Sequence, residues 1–252
     1  QEILRDLERG VSSIHLAIEC SGTTGCIITD MEALSTALKD VRADIAPVSL
    51  GHRGAGSGAS AAALLARWAE GQEAPNEQRL AFNISPVRQL IHSGKIGGGV
   101  DATMAKTAAL TEVLSAKFPH ATCLEANGQY VHEAGGSEAQ ELGTMIADAV
   151  DTLRRLSAAG LPLETGAKQL QFKIAVDANY GIGIAKLRAA RRLWARVREA
   201  LGLTPAPMQI HAVTSARMLT RYDAWVNMLR GTAACFAAAT GGANAITVRA
   251  FN

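Results

Sequence analysis

A chain of 252 residues with 48% hydrophobic and 19% charged side chains has enough apolar material to bury one large core and too much to remain disordered. Its formal charge of +2, from 25 basic and 23 acidic residues, supplies no field for nucleic acid or an anionic membrane, and no uninterrupted apolar run reaches transmembrane length. The four cysteines, Cys20, Cys26, Cys123 and Cys235, include no CxxC pair and point to a reducing, cytoplasmic compartment.

In chain order, QEILRDLERG reads as an amphipathic helix without the apolar core of a secretory signal, and the missing initiator Met suggests a fragment of a longer chain. Seven segments rich in β-formers follow: Ile14–Glu19, Asp44–Leu50, Gln78–Ile84, Ala121–Asn127, Gln169–Asp177, Met208–Ser215 and Ala245–Asn252. The stretches between them carry the helical 3.6-residue pattern. DMEALSTALKDV opens with Asp30 as N-cap, and ASAAALLARWAEG closes with Gly71 as C-cap. SEAQELGTMIADAVDTLRRLSAAG runs from Ser137 to Gly160 with Glu138 and Glu141 near its start. GIAKLRAARRLWARVREALG lines up Ile184, Leu187, Trp194, Val197 and Leu201. DAWVNMLRGTAACFAAATGG opens with Asp223 as N-cap and closes at Gly241 and Gly242.

Strand and helix alternating in this way call for parallel sheet with covering helices, because each parallel connection needs a crossover. No GxGxxG follows the first strand, where the chain reads ECSGTTGC, so a dinucleotide fold has little support. The reading is an α/β chain, a (β/α)8 TIM barrel over residues 1–252 with seven strands recognisable; the pattern alone also allows an open parallel sheet. A missing eighth strand would leave bare edges, so it is expected beyond the supplied C-terminus.

Barrel chemistry sits at the C-terminal ends of strands. Those positions offer Glu19, Cys20, Gly51, His52, Arg53, Asn83, Ser85, Glu125, Asn127, Gln129, Tyr130, His132, Asp177, Asn179, Tyr180, His211, Thr214, Ser215, Arg249 and Asn252. No HxH, HExxH or i, i+4 histidine pair marks a metal site. His132 beside Glu133 suggests acid–base work, a neighbouring carboxylate holding the imidazole tautomer; the alternative has Glu133 bound to an arginine or the following helix, with His132 packed against the rim. His211 faces the same way as Val213 and Ser215. The loop GHRGAGSGAS (Gly51–Ser60) suits phosphate or a thin extended ligand, or is simply a turn of small residues. The six basic groups between Lys186 and Ala200 face several directions around one helix, reading as solvated or subunit-facing surface or as a phosphate contact. Ala17, Ser49, Ala81, Ala126, Ala175, Ala212 and Ala250 lie on or beside strands and suggest an uncrowded barrel centre.

AKLRAARRLWARV (Ala185–Val197), HEAGGSEAQELGTMIADAVDTLRRL and TSxxxLTxxDxxxNxxR (Thr214–Arg230) resemble the substrate-binding barrel of the methylmalonyl-CoA mutase family, and the resemblance covers essentially the whole chain. It implies a barrel that surrounds the pantetheine arm of an acyl-CoA, with His52, Arg53, Ser85, His211, Thr214 and Ser215 as channel or rim contacts. It also implies adenosylcobalamin held by a separate domain with a DxHxxG motif, and radical interconversion of methylmalonyl-CoA and succinyl-CoA.

Three departures qualify that implication. Catalytic members carry GYHMQEAG, whose Tyr and His contact the acyl group; this chain has GQYVHEAG, putting Gln129 at the Tyr and Tyr130 at the His position. THSQTSG corresponds to IHAVTSA, which retains His211, Thr214 and Ser215 but puts Val213 at the glutamine position. No DxHxxG occurs. The pattern resembles the noncatalytic small, or beta, subunit of the bacterial heterodimeric form, whose cobalamin is bound by a large catalytic partner. Two alternatives stand beside it: a catalytic mutase for another acyl-CoA, with Gln129, Tyr130 and His211 forming its pocket, and a metal-dependent lyase or hydrolase built on His52, Glu125 and His211.

Overall fold

The computed structural model describes residues 2–18, 25–52 and 58–252, the side chains of His52 and His92 excepted. In chain order the elements are α1 (Glu2–Glu8), β1 (Ile14–Ile18), α2 (Met31–Ala37), β2 (Val48–His52), α3 (Ala59–Glu70), a 3-10 turn (Pro75–Glu77), β3 (Leu80–Ile84), α4 (Pro86–Ser93), α5 (Val100–Lys117), β4 (Thr122–Asn127), α6 (Gln129–Glu133), α7 (Glu138–Ala158), α8 (Leu163–Lys168), β5 (Leu170–Val176), α9 (Tyr180–Ala200), β6 (Gln209–Thr214), α10 (Val226–Thr240) and β7 (Ala245–Thr247). The strands are ordered β1-β2-β3-β4-β5-β6-β7, with parallel ladders along the sheet. Sequential parallel strands joined by helices are the arrangement of a (β/α)8 barrel, here with seven strands among the described residues.

The chain forms two compact units, Gln1–Leu124 with Thr152–Gln169, and Glu125–Asp151 with Leu170–Asn252. In the first, Asp30 caps α2 by accepting from the Ala33 amide at 2.8 Å, and α3 stops at Gly71. Helix α3 packs on α2 and on β3, Val48, Leu50 and Phe82 are buried, and Phe82 packs on Phe118 with ring centroids 5.9 Å apart. In the second, α9 lays Leu187, Ala190 and Trp194 on the sheet. Trp194 packs on Phe172 of β5 at 4.7 Å, a contact that fixes Leu170, Phe172, Ile174 and Val176 as the helix-facing row and Gln171, Lys173 and Ala175 as the opposite one.

Several boundaries differ from the sequence reading. β2 starts at Val48 rather than Asp44, because residues 42–46 close a turn through Ala46 N–H to Arg42 O at 2.8 Å, with Arg42 paired to Asp44. β7 ends at Thr247, after which the Arg249 amide donates to Thr214 Oγ1 at 2.9 Å instead of to a ladder. α10 begins at Val226, not Asp223. Asn227 pins the preceding loop by accepting from Thr220 N–H and donating to Thr220 O, and Asp223 caps only the Trp225 amide.

Candidate functional site

In the second unit the C-terminal ends of β4, β5 and β6 converge on a buried polar cluster. β4 leads through Gly128 into the single-turn helix α6, whose tightness Asn127 supports by accepting from the Gln129 amide at 2.9 Å. α6 carries His132 inward, fully buried. Its Nε2 lies 2.7 Å from Ser215 Oγ, and its Nδ1 lies 3.7 Å from Glu141 Oε2. Glu141 accepts from Lys186 Nζ at 2.7 Å and from the Ala175 amide at 2.7 Å. One carboxylate thus joins α7, α9, β5 and the imidazole of α6.

Burial pushes the Glu141 carboxyl up from its usual range, against the pull of Lys186 and the Ala175 amide. Burial, with Lys186 and Arg217 nearby, pushes the His132 imidazole down. The imidazole is therefore neutral near pH 7, bonded to a serine hydroxyl. Ser215, His132 and Glu141 follow the order of a nucleophile, base and orienting acid, but Ser215 and His132 are wholly buried and no substrate carbonyl can reach them.

Glu133 points the other way. It accepts from the amides of Ala216 at 2.9 Å and Arg217 at 3.1 Å, and from Gln129 Nε2 at 3.3 Å, while Arg249 stands 3.6 Å away. Arg217 returns the contact by donating to the carbonyls of His132 and Gly136. α6 is thereby latched across the end of β6.

The strand face opposite the helices is polar rather than merely small. Lys173 pairs with Glu125 at 3.1 Å, and Glu125 accepts from Asn127 Nδ2 at 2.9 Å. His211 Nε2 lies 2.8 Å from Thr247 Oγ1, and burial, reinforced by Lys173, lowers its pKa to about 3. In the first unit the same face holds His15 Nδ1 2.9 Å from Ser49 Oγ, with Asn83 Nδ2 donating to Ser49 Oγ and Leu50 O. Of the small residues read as lining an empty centre, Ala17, Ser49, Ala81 and Ala175 share this face. Ala212 alternates onto the helix side with Ile210, and Ala250 lies beyond β7.

The candidates from sequence separate accordingly. Gln129 is buried and held by Glu133; Tyr130 is half-buried beside it. His211, Thr214 and Ser215 are buried on β6 or at its end, bonded to Thr247, to the Arg249 amide and to His132 respectively. Ser85 lies in the first unit, where its hydroxyl caps α4 by accepting from the Arg88 amide at 3.2 Å. Arg53, Glu19 and Cys20 lie outside the described residues, as do most of the glycine-rich loop and the side chain of His52.

Of the two readings of His132 and Glu133, the one with Glu133 beside an arginine holds, Arg249 standing 3.6 Å away and His132 packed in the interior; the carboxylate nearest His132 is Glu141, because the α6 turn sends neighbouring side chains to opposite sides. Of the metal trio, Glu125 is bonded to Lys173 and Asn127 and His211 to Thr247, while the side chain of His52 lies outside the described residues.

Lys186, read as part of a solvated or subunit-facing basic helix, is buried, as is Arg198, which donates to Thr204 O at 2.9 Å. The signal for Lys186 was available: it lies four residues before Ala190 and eight before Trp194, on the buried stripe of α9.

A corrin cobalt needs an accessible imidazole. At the described C-terminal strand ends the ring nitrogens of His132 and His211 are buried. Neither of these two histidines would therefore hold the cobalt.

Sequential parallel strands with polar residues gathered at their C-terminal ends define a β/α-barrel protein of the kind that builds its sites on strand ends. A family model described as methylmalonyl-CoA mutase matches residues 8–252, and the chain belongs to that family. It is 40% identical over 255 residues to a methylmalonyl-CoA mutase small subunit of Streptomyces virginiae, covering 100% of this chain and 39% of that protein. It is 27% identical over 251 residues to the small subunit of Propionibacterium freudenreichii subsp. shermanii, covering 99% and 38%. To the large subunit of Streptomyces virginiae it is 34% identical over 130 residues, 50% of this chain and 18% of that one. The chain thus spans well under half the length of these relatives.

Proposed function

We propose that residues 1–252 are the barrel domain of a methylmalonyl-CoA mutase small subunit, which supports a large catalytic subunit in a cytoplasmic heterodimer and does not itself isomerise acyl-CoA. The observation that carries this reading is the state of α6. At the positions where the family resemblance expects an acyl-contacting Tyr and His, the chain has Gln129 and Tyr130, and the Gln129 amide is committed to Glu133 inside a latch that ties α6 to β6. Val213 at the expected glutamine position offers no hydrogen bond.

Adenosylcobalamin, when bound in the complex, supplies the radical chemistry. On this reading its cobalt is ligated by the large subunit, which agrees with the closed histidines here. His52 and Arg53 remain candidates for contact with a CoA thioester, whereas Thr214 is buried on the helix side of β6 and bonded to the Arg249 amide. Whole-chain similarity to the small subunits of Streptomyces virginiae and Propionibacterium freudenreichii subsp. shermanii, against half of this chain for the large subunit of Streptomyces virginiae, supports the same assignment.

The test is cobalamin binding and methylmalonyl-CoA turnover by the full-length protein, purified alone and with a co-expressed large subunit. The expected result is neither activity alone, and turnover in a stable heterodimer. Stoichiometric cobalamin and turnover by the isolated protein would overturn the reading and make Gln129 and Tyr130 specificity residues of a catalytic mutase.

A further inference from the structure

Of the six basic side chains that α9 carries from Lys186 to Arg198, three are committed inward. Lys186 donates to Glu141 at 2.7 Å, Arg191 donates to the carbonyls of Gly241 and Gly242, and Arg198 donates to Thr204 O at 2.9 Å. Arg188, Arg192 and Arg196 are exposed instead. Steps of four residues set them on one stripe, about 12 Å long at 1.5 Å per residue, and Leu193, 45% exposed, borders it. No acid stands three or four residues from Arg188 or Arg192 along the helix. Arg196 has the solvent-facing Glu199, in a pair of the kind that stabilises little. Like charges at this spacing work against the helix that carries them, so the stripe does nothing for α9 itself.

We propose that the stripe is a docking surface for an acidic segment of a protein partner, whose carboxylates meet the three guanidiniums and whose apolar side chains cover Leu193. The partner is the large subunit, so the inference rests on the heterodimer reading above. Three features favour this occupant. A guanidinium offers a planar fork that pairs bidentately with a carboxylate, and arginine is enriched where proteins meet. α9 is held firmly, by Trp194 against Phe172 at 4.7 Å and by Lys186 against Glu141, so little ordering of the backbone opposes docking. The formal charge of +2 denies the chain the broad positive field that gathers nucleic acid, which leaves a local match between charged side chains.

Arg192→Glu tests it, in the full-length protein with a co-expressed large subunit. The substitution puts a carboxylate four residues from both Arg188 and Arg196, so the isolated variant is expected to unfold at or above the parent's midpoint. The Kd of the heterodimer at low salt is nevertheless expected to rise at least about tenfold, and its dependence on salt to flatten. Lys39→Glu, which reverses an exposed cation of the first unit, is expected to leave the Kd within about twofold of the parent. Equal effects of the two substitutions, or no effect of either, would overturn the proposal while leaving the heterodimer in place. A lower unfolding midpoint in Arg192→Glu would also overturn it, by assigning the stripe to the chain's own fold. Loss of duplex DNA binding with an unchanged heterodimer Kd would overturn it in favour of a phosphate backbone. Failure of the parent protein to pair with the large subunit would overturn the heterodimer reading, and the docking surface with it.

Discussion

Glu141 has no exposed surface, yet it carries a charge-bearing partner, a backbone amide and an imidazole neighbour. Taking Lys186 and Glu141 out of water costs several kcal/mol per ion, which their 2.7 Å contact and the Ala175 amide offset. The pair is therefore weak evidence for stability as a whole but strong evidence for mutual dependence. Lys186→Met leaves a buried carboxylate with one amide donor, and the expected loss is about 3–5 kcal/mol of unfolding free energy. Lys186→Met combined with Glu141→Gln removes both charges and is expected to recover much of that loss. Urea unfolding of the two variants followed by tryptophan fluorescence measures the difference; equal destabilisation in both would mean that the ion pair is not what joins α7 to α9.

At the scale of elements, α6 is the informative piece, because a helix of five residues has no stability of its own. It is held by close approach as well as by the Glu133 latch. A Cβ on Gly128 would stand 2.8 Å from both Glu141 Cγ and Glu141 O, and one on Gly136 would stand 2.4 Å from Val131 Cγ1. Gly128→Ala must therefore push α6 off the first turn of α7, with an expected cost of about 1–3 kcal/mol and faster amide exchange at Ala216 and Arg217, whose acceptor is Glu133. Hydrogen exchange at those two amides unchanged from the parent would show that the latch does not depend on this packing. Most elements were legible beforehand, since runs of β-formers between periodic helical stretches located all seven strands, and Asp30 and Gly71 capped as read. What escaped was set by tertiary pairing. The Asp44–Ala46 turn looks apolar enough for a strand until Arg42 claims Asp44, and Ala245–Asn252 reads as one strand until Thr214 takes the Arg249 amide. Likewise, the adjacency of His132 and Glu133 suggested a pair that a helical turn separates, whereas Glu141 lies nine residues away in sequence.

For the whole molecule, these buried imidazoles make global stability depend on pH in a definite direction. In the unfolded chain a histidine titrates near 6.5, while His211 in the fold titrates near 3, because burial and Lys173 oppose its charge. His132 is shifted the same way by burial, Lys186 and Arg217. Above pH 6.5 neither state binds a proton at these sites and the full stability is present. As pH falls from 6.5 toward 3, the unfolded chain takes up protons that the fold refuses, so stability declines throughout that window. At pH 5 the single site His211 accounts for a loss of roughly 2 kcal/mol relative to pH 7. Glu141, raised by burial, works in the opposite sense just above its ordinary pKa, so the bare pH profile mixes the two. Comparison with His211→Gln separates them, because the substitution removes the titrating group and leaves Glu141 in place. The loss between pH 7 and pH 5, measured by urea unfolding, is expected to be about 2 kcal/mol smaller in the variant; an identical loss would mean that His211 is charged in the fold, and that the polar face of β5, β6 and β7 accepts a cation where its geometry argues for a neutral ring.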